Sequence, residues 1–142
     1  MKNKIQILLF SILLVSCEEL GDLTNQNNTG DERDRIVDTW VCDENERQLK
    51  SLLSSYHVAI SKNPDDSSLV SIYNFYALGS GKYINAVLGN KKLTVLNQKI
   101  QGFTINGNGI IATSYNRISW NYNVEYPSGE IYEVEAIFTR YE

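Results

Sequence analysis

The chain has 142 residues, of which 42% are hydrophobic and 11% aromatic, enough for one packed domain and too few for two. It carries 13 basic and 17 acidic residues, which gives a formal net charge of −4. The acidic surplus argues against a nucleic-acid partner, because phosphate binding needs clustered Lys and Arg and the only adjacent basic pair is Lys91-Lys92.

The N-terminus is typical of an export signal. Two lysines precede an apolar run over residues 5–15, which is too short to cross a bilayer as a helix. Small Ser16 and then Cys17 follow the run. We therefore expect residues 1–16 to be a signal peptide. The alternative is an uncleaved anchor helix with an incidental cysteine.

The residues Leu14-Val15-Ser16-Cys17 resemble the lipobox of bacterial lipoproteins. This resemblance implies that Cys17 is acylated, with palmitate among the chains, and becomes the first residue of the mature protein. The membrane would then be a partner through these acyl chains. The acidic pair Glu18-Glu19 resembles the surface-export signal of lipoproteins of the Bacteroidota, which implies an outer-membrane protein exposed on the cell surface. The alternative is a solvated spacer without sorting content.

Residues 17–34 are polar and acidic and hold almost no large apolar side chains. Such a segment cannot bury enough surface to offset the entropy of ordering, so we predict a flexible tether. The folded domain then covers residues 35–142.

The domain opens with a predicted strand, because Ile36, Trp40 and Cys42 alternate onto one face. The next segment, residues 43–55, has leucines at helical spacing, with Asp43 as a candidate cap. This pattern predicts one short helix or a structured loop.

From Tyr56 onward, apolar and polar residues alternate, and turn residues interrupt them at short intervals. The strongest hairpin signal is Asn106-Gly107-Asn108-Gly109, and Pro127-Ser128-Gly129 is typical of a turn. The pattern predicts an all-β fold of eight or nine short antiparallel strands in a meander. A long meander removes its open edges by closing into a barrel, with the first strand paired to the last. An all-β sandwich shares the pattern and is the alternative.

The sequence offers no catalytic or metal constellation. His57 is the only histidine, which leaves neither a zinc site nor a histidine-based triad. Glu133 and Glu135 share a strand face, but it is the predicted outer face, which argues against a two-carboxylate glycosidase. We expect no enzyme and no cofactor. We also expect Cys42 to be a small buried hydrophobe rather than a reactive thiol.

Several short motifs are spread along the folded domain. They are Arg33–Trp40, Ile72-Tyr73-Asn74-Phe75, Gln98, Gly107-Asn108-Gly109 and Phe138-Thr139-Arg140-Tyr141. Together they resemble the lipocalin-like lipoproteins of the Bacteroidota, over nearly all of residues 33–142. The resemblance implies a leash, a first strand with a Gly-x-Trp element and a barrel meander. Asp38 departs from it, because the lipocalin signature has Gly there.

The same resemblance implies a barrel-closing pair. In lipocalins the tryptophan of the first strand closes the barrel floor, and an arginine from the last strand stacks over it. On this chain the pair would be Trp40 and Arg140. A cation over an indole face contributes about 0.5–2 kcal/mol, so the pair would be structural.

Aromatic side chains are the candidates for lining a ligand site. A small barrel either fills its interior with side chains or leaves a pocket. Aromatic rings at a pocket mouth suit an apolar ligand or a sugar ring. The candidates are Tyr73, Phe75, Tyr83, Phe103, Trp120 and Tyr122.

These observations predict a lipid-anchored, non-enzymatic envelope lipoprotein whose lipocalin-like barrel binds a small apolar or glycan-like ligand. The alternative is a protein-interaction module, an inhibitor or an accessory subunit, with a filled barrel core. A pocket of several hundred Å³ open to solvent would favour the first function. A filled core with an exposed apolar patch would favour the second.

Overall fold

Eight antiparallel strands, each paired with the next along the chain, form one closed barrel in the computed structural model of this protein. The structure describes residues 30–46 and 55–142. Two short 3-10 turns accompany the strands, the N-terminal turn (Glu32–Arg35) and the Phe75 turn (Phe75–Ala77). The strands are β1 (Asp38–Glu46), β2 (Tyr56–Lys62), β3 (Leu69–Tyr73), β4 (Tyr83–Gly89), β5 (Lys92–Ile100), β6 (Phe103–Ile111), β7 (Arg117–Glu125) and β8 (Ile131–Arg140).

Strand β1 closes the barrel, because it pairs with β2 on one side and with β8 on the other. Trp40 lies opposite Val58 of β2 and opposite Arg140 of β8. The predicted all-β meander barrel, with its first strand on its last, is therefore confirmed, and it has eight strands. The alternative sandwich is wrong, because one continuous sheet curves back onto itself.

The barrel interior follows from the alternation of side chains along each strand. On β7, every second residue from Ile118 to Val124 is at most 3% exposed, and the residues between them face outwards. On β1, the alternate residues Trp40, Cys42 and Glu44 point inwards in the same way. The apolar area removed from water in this way stabilises the fold by about 25 cal/mol per Å².

The hairpin predicted at Asn106-Gly107-Asn108-Gly109 is wrong, because β6 runs straight through these residues. The turn between β5 and β6 lies earlier, at Gln101 and Gly102, which have φ of 50° and 89°. The two in-strand glycines leave room for aromatic neighbours on β7. A Cβ at Gly107 would lie 2.3 Å from Tyr122 Cβ, and a Cβ at Gly109 would lie 2.8 Å from the Trp120 ring.

The helix start predicted at Asp43 is also wrong. Strand β1 continues through Glu46, because these residues pair with β8 up to Glu46 opposite Val134. The rest of that predicted helix or loop, residues 47–54, lies outside the described residues. Among the residues that the structure does describe, no helix has the length and hydrophobicity needed to cross a membrane.

The N-terminal turn packs against the barrel at the end where the chain enters it. Asp31 caps the turn by accepting the backbone N–H of Arg33 at 3.0 Å, and it also forms an ion pair with Lys62 at 3.2 Å. The hydrogen-bonded Arg33 guanidinium holds the pKa of Asp31 well below its usual range. Glu32 accepts the backbone N–H of Lys91 at 2.9 Å. The last residues of the predicted tether are therefore fixed to the domain.

The two in-strand glycines give a first prediction. We expect Gly107→Ala to lower the free energy of unfolding by about 1–3 kcal/mol, because the added methyl group meets the Tyr122 backbone and Cβ. Gly89→Ala is the matched control, since a Cβ there meets nothing within 4 Å, and it should change stability by less than about 0.5 kcal/mol. Urea denaturation measures both, and equal midpoints for the two variants would contradict the packing argument.

Candidate functional site in the barrel interior

One end of the barrel, which we call the floor, is closed by Trp40 and Arg140. The guanidinium carbon of Arg140 lies 4.9 Å from the centroid of the Trp40 ring. The Trp40 side chain is fully buried, and its Nε1–H donates to the carbonyl of Ile36 at 3.0 Å. At the floor, therefore, the Arg140 cation stacks on the Trp40 indole, which is held by a hydrogen bond to the backbone.

Arg140 is held in place by three acceptors. Its Nε donates to the carbonyl of Tyr115 at 2.9 Å. Its terminal nitrogens donate to the carbonyl of Arg35 and to the Asp38 carboxylate. Asp38, at the position where the lipocalin resemblance leads one to expect glycine, thus helps to orient the arginine. All these contacts stabilise the floor.

The opposite end, which we call the mouth, is covered by the Phe75 turn. Strand β3 ends at Tyr73, so Phe75 lies beyond the strand. The backbone instead adopts positive φ at Asn74, Tyr76 and Ala77 (59°, 55° and 52°). This geometry turns the Phe75 side chain into the barrel, where it is only 2% exposed.

A ring of aromatic side chains surrounds the Phe75 turn at the mouth. The hydroxyl groups of Tyr76 and Tyr126 lie 2.7 Å apart and share a hydrogen bond. The Phe103 ring packs edge-on against both, with centroid separations of 6.1 Å and 4.9 Å. Tyr132 continues the row, 4.8 Å from Tyr126. The mouth is therefore rimmed by aromatic rings with three tyrosine hydroxyl groups among them.

A polar cluster lies inside the barrel on β1. The Glu44 side chain is 2% exposed, and its carboxylate accepts the hydroxyl groups of Tyr56 and Tyr122. Burying a carboxylate is costly unless donors replace its water, and the two phenols do so here. Glu44 is not among the residues that the sequence singles out, because it lies in the polar run Asp43–Glu46. The alternation along the strand could have identified Glu44, since it is the next inward-facing position after Trp40 and Cys42.

The hydroxyl and thiol groups around Glu44 stay protonated. Burial, and next the charge of Glu44, raise the pKa of Tyr56 and of Tyr122 well above the usual range. The same two causes, in the same order, raise the pKa of Cys42. Cys42 is buried and not in a disulfide, so its thiol behaves as the small buried hydrophobe that the strand pattern predicts.

The structure brings three of the six aromatic candidates together in the interior. The Phe75 ring lies 5.2 Å from the Trp120 ring and 4.7 Å from the Tyr122 ring, measured between centroids. A fourth candidate, Phe103, lies on the rim of the mouth. Tyr73 and Tyr83 do not line the interior. They pair with each other on the outer face, 5.2 Å apart, and Tyr83 is 49% exposed.

The outer wall carries a groove of about 290 Å³ between β4 and β5. These two strands share only three register pairs, and the pairing stops at Val87 opposite Thr94. Farther along, the Gln98 side chain replaces a strand neighbour, since its amide accepts the backbone N–H of Asn85 at 2.8 Å and donates to the Asn85 carbonyl. The groove is lined by Leu69, Asn85, Val87, Thr94, Leu96 and Gln98.

Fold and interior together define a small closed antiparallel β-barrel with a buried aromatic core, consistent with a lipocalin-like architecture. No protein-family model and no curated protein sequence matches the chain. Over residues 30–46 and 55–142, no group of three or more His, Cys, Asp or Glu side chains is placed to hold a metal ion.

The floor gives a second prediction. Arg140→Ala removes the stack on Trp40 and the charge-assisted hydrogen bonds, so we expect the free energy of unfolding to fall by about 2–4 kcal/mol. Arg140→Lys should recover less than half of this loss, because an ammonium group cannot reproduce the planar fork. Arg117→Ala, an exposed site on β7, is the control. Chemical denaturation that finds Arg140→Ala as stable as Arg117→Ala would show that the stack contributes nothing.

The buried carboxylate gives a third prediction. Glu44→Ala leaves the hydroxyl groups of Tyr56 and Tyr122 without this acceptor, so we expect a loss of about 2–4 kcal/mol in the free energy of unfolding. Tyr122→Phe alone should cost about 1.5–3 kcal/mol. A double-mutant cycle between Glu44 and Tyr122 should yield a coupling energy above about 0.5 kcal/mol. Glu125→Ala, on the exposed face of β7, serves as the control, and strictly additive effects of the two interior changes would refute the hydrogen bond.

Proposed function

We propose that this protein is a lipid-anchored, non-enzymatic lipoprotein of the cell envelope whose barrel binds a small apolar or glycan-like ligand. The proposed anchor is acylated Cys17, after removal of residues 1–16, and the proposed site is the outer membrane with the domain on the cell surface. The support for anchoring is the sequence of the first 17 residues. The support for ligand binding is the difference between the two ends of the barrel.

The N-terminal turn decides which end of the barrel is nearer to the proposed anchor. It contacts Lys62, Leu69 and Lys91, all of which lie at the floor. A tether from Cys17 therefore joins the domain at the floor, and the mouth lies at the far end, about 20–30 Å away for strands of this length. A ligand arriving from the aqueous side would meet the mouth first.

The observation that carries the proposal is the different chemistry of the two ends within residues 30–46 and 55–142. The floor is sealed by an ion-paired guanidinium on an indole. The mouth is covered by aromatic side chains on a three-residue turn and on strand ends, chiefly Phe75, Tyr76, Phe103 and Tyr126. Aromatic faces of this kind bind apolar bodies and stack on sugar rings. The mouth is thus the end suited to a ligand.

A second candidate function is supported by a different observation. The described interior is densely packed, with Trp40, Phe75, Tyr122 and Phe138 all at most 2% exposed. The outer groove between β4 and β5 meanwhile exposes Leu96, at 66%. A filled core beside an exposed apolar surface fits a protein-interaction module, an inhibitor or an accessory subunit.

Native mass spectrometry of the mature protein, extracted from its own membranes, tests the proposal. We expect an intact mass that lacks residues 1–16 and includes acyl chains on Cys17, together with an adduct of small-molecule mass. Cys17→Ser should abolish acylation and move the protein out of the membrane fraction. Cys42→Ala is the matched control and should retain the acyl mass.

The experiment tests the lipid anchor and the ligand binding separately. An unacylated chain that keeps residues 1–16 would overturn the anchoring. An acylated chain of clean mass, with no adduct under mild desolvation, would overturn ligand binding and favour the protein-interaction module.

A further inference from the structure

The Phe75 turn holds its side chain in the barrel at a conformational cost. Asn74, Tyr76 and Ala77 are L-residues in the left-handed region, where a Cβ is disfavoured. What offsets this cost is the burial of the Phe75 ring against three aromatic rings at centroid distances of 4.7 to 6.0 Å. The turn therefore stays folded inwards because of its packing, and against the preference of its own backbone.

The turn is hinged at Asn74. The Asn74 side chain donates to the carbonyl of His57 at 2.7 Å and accepts the backbone N–H of Gly79 at 2.8 Å. The first bond ties the start of the segment to β2, and the second ties its end back to Asn74. Phe75 and Tyr76 lie between them, and both pack their rings against aromatic side chains of the barrel. An outward movement of these two residues would leave the hinge bonded.

The interior beneath Phe75 contains a buried donor without an acceptor. Trp120 is 3% exposed, and its Nε1–H has no hydrogen-bond partner within the described part of the chain. A buried indole N–H normally finds a partner, so its absence here requires an explanation. The Trp120 ring packs directly against Phe75 at 5.2 Å and against Phe138 at 5.5 Å. The unsatisfied donor thus belongs to the same aromatic layer as the inserted phenyl ring.

We propose that Phe75 occupies the chain's own ligand site and is displaced by a small neutral molecule that carries one ring and one hydrogen-bond acceptor. The ring takes the place of the phenyl group against Trp120 and Tyr122, and the acceptor oxygen accepts the Trp120 Nε1–H. This inference rests on the proposed ligand-binding function and specifies the ligand class. The buried Glu44 carboxylate, which already accepts two tyrosine hydroxyl groups, repels an anion. A neutral ligand also avoids the cost of moving a charge from water into the aromatic layer.

The size of the ligand follows from the group that it replaces. The space vacated is that of one benzyl group, extended toward the mouth if Tyr76 moves with Phe75. Aryl and alicyclic ketones, aldehydes and lactones fit this volume, whereas a disaccharide does not. The ligand of the barrel interior is therefore a monocyclic carbonyl compound or its equivalent. This is a narrower class than the apolar or glycan-like molecule of the proposed function.

The test uses two probes of the same size, acetophenone and ethylbenzene, which differ in the carbonyl oxygen. The ¹⁵N-labelled mature chain, residues 17–142 with Cys17→Ser, carries no acyl group and needs no detergent. We expect acetophenone to shift the Trp120 indole N–H resonance saturably. The Trp40 indole N–H, already bonded to Ile36, is an internal control that should not move. Ethylbenzene should bind about tenfold more weakly, as for the loss of one hydrogen bond.

Two variants separate a displaced side chain from an accidental cavity. Phe75→Ala should raise the acetophenone affinity about tenfold or more, because no side chain then competes for the site. Trp120→Phe should remove the preference for acetophenone over ethylbenzene. Ile110→Ala, on the exposed outer face, is the control and should leave both affinities unchanged. Phe75→Leu keeps most of the apolar volume and should bind acetophenone with an intermediate affinity. It takes the place of Phe75→Ala in the experiment if Phe75→Ala does not fold.

Two results would overturn the inference. One is that neither the wild-type chain nor the Phe75 variants bind acetophenone at millimolar concentration. The other is that Phe75→Ala binds acetophenone and ethylbenzene equally, which would mean an engineered cavity in which Trp120 plays no part. If the native protein still carries an adduct in either case, the proposed function stands and the ligand lies elsewhere. A clean native mass together with saturable binding of acetophenone by the wild-type chain would overturn the proposed ligand-carrying function and uphold the interior site.

Discussion

The pairing of β1 with both β2 and β8 is the constraint on which the rest of the structure depends. It fixes β1 in one register on each side, so its alternate side chains must point into the barrel. Trp40 then lies at the floor beside Arg140, and Glu44 lies higher, within reach of Tyr122. A register slip of one residue would exchange all inward and outward side chains, and both the floor and the polar cluster would be lost.

The size of the aromatic core imposes a second condition on the same sheet. An eight-stranded barrel has an interior just wide enough for side chains, and this one holds two tryptophans with several phenylalanines and tyrosines. The space for Trp120 and Tyr122 comes from Gly109 and Gly107, which lie opposite them on β6. The glycines and the large rings form one packing unit, in which each requires the other.

The two ends of the barrel differ in chemistry, and this difference gives the molecule a direction. At the floor, Asp38 and backbone carbonyls bind a charged guanidinium, so that end is stabilised by electrostatics and directional hydrogen bonds. At the mouth, the contacts around Phe75 and Tyr76 include edge-to-face contacts between aromatic rings. Such contacts involve no formal charge, and they can be exchanged for those of another ring of similar size. The mouth is therefore the end where a side chain can give way to a ligand.

The sequence by itself determined the all-β meander and the inward parity of Trp40 and Cys42, because alternation is a local property of a strand. Ile36, predicted to share that strand, is buried but lies at the C-cap of the N-terminal turn, before β1. The sequence also indicated closure, because a long meander must cover its edges. Only the tertiary structure decided that the Asn-Gly segment of β6 makes room for rings instead of turning. It likewise placed Phe75 inside and the Tyr73–Tyr83 pair outside. These outcomes depend on which distant side chains compete for one interior volume, and no local pattern records that competition.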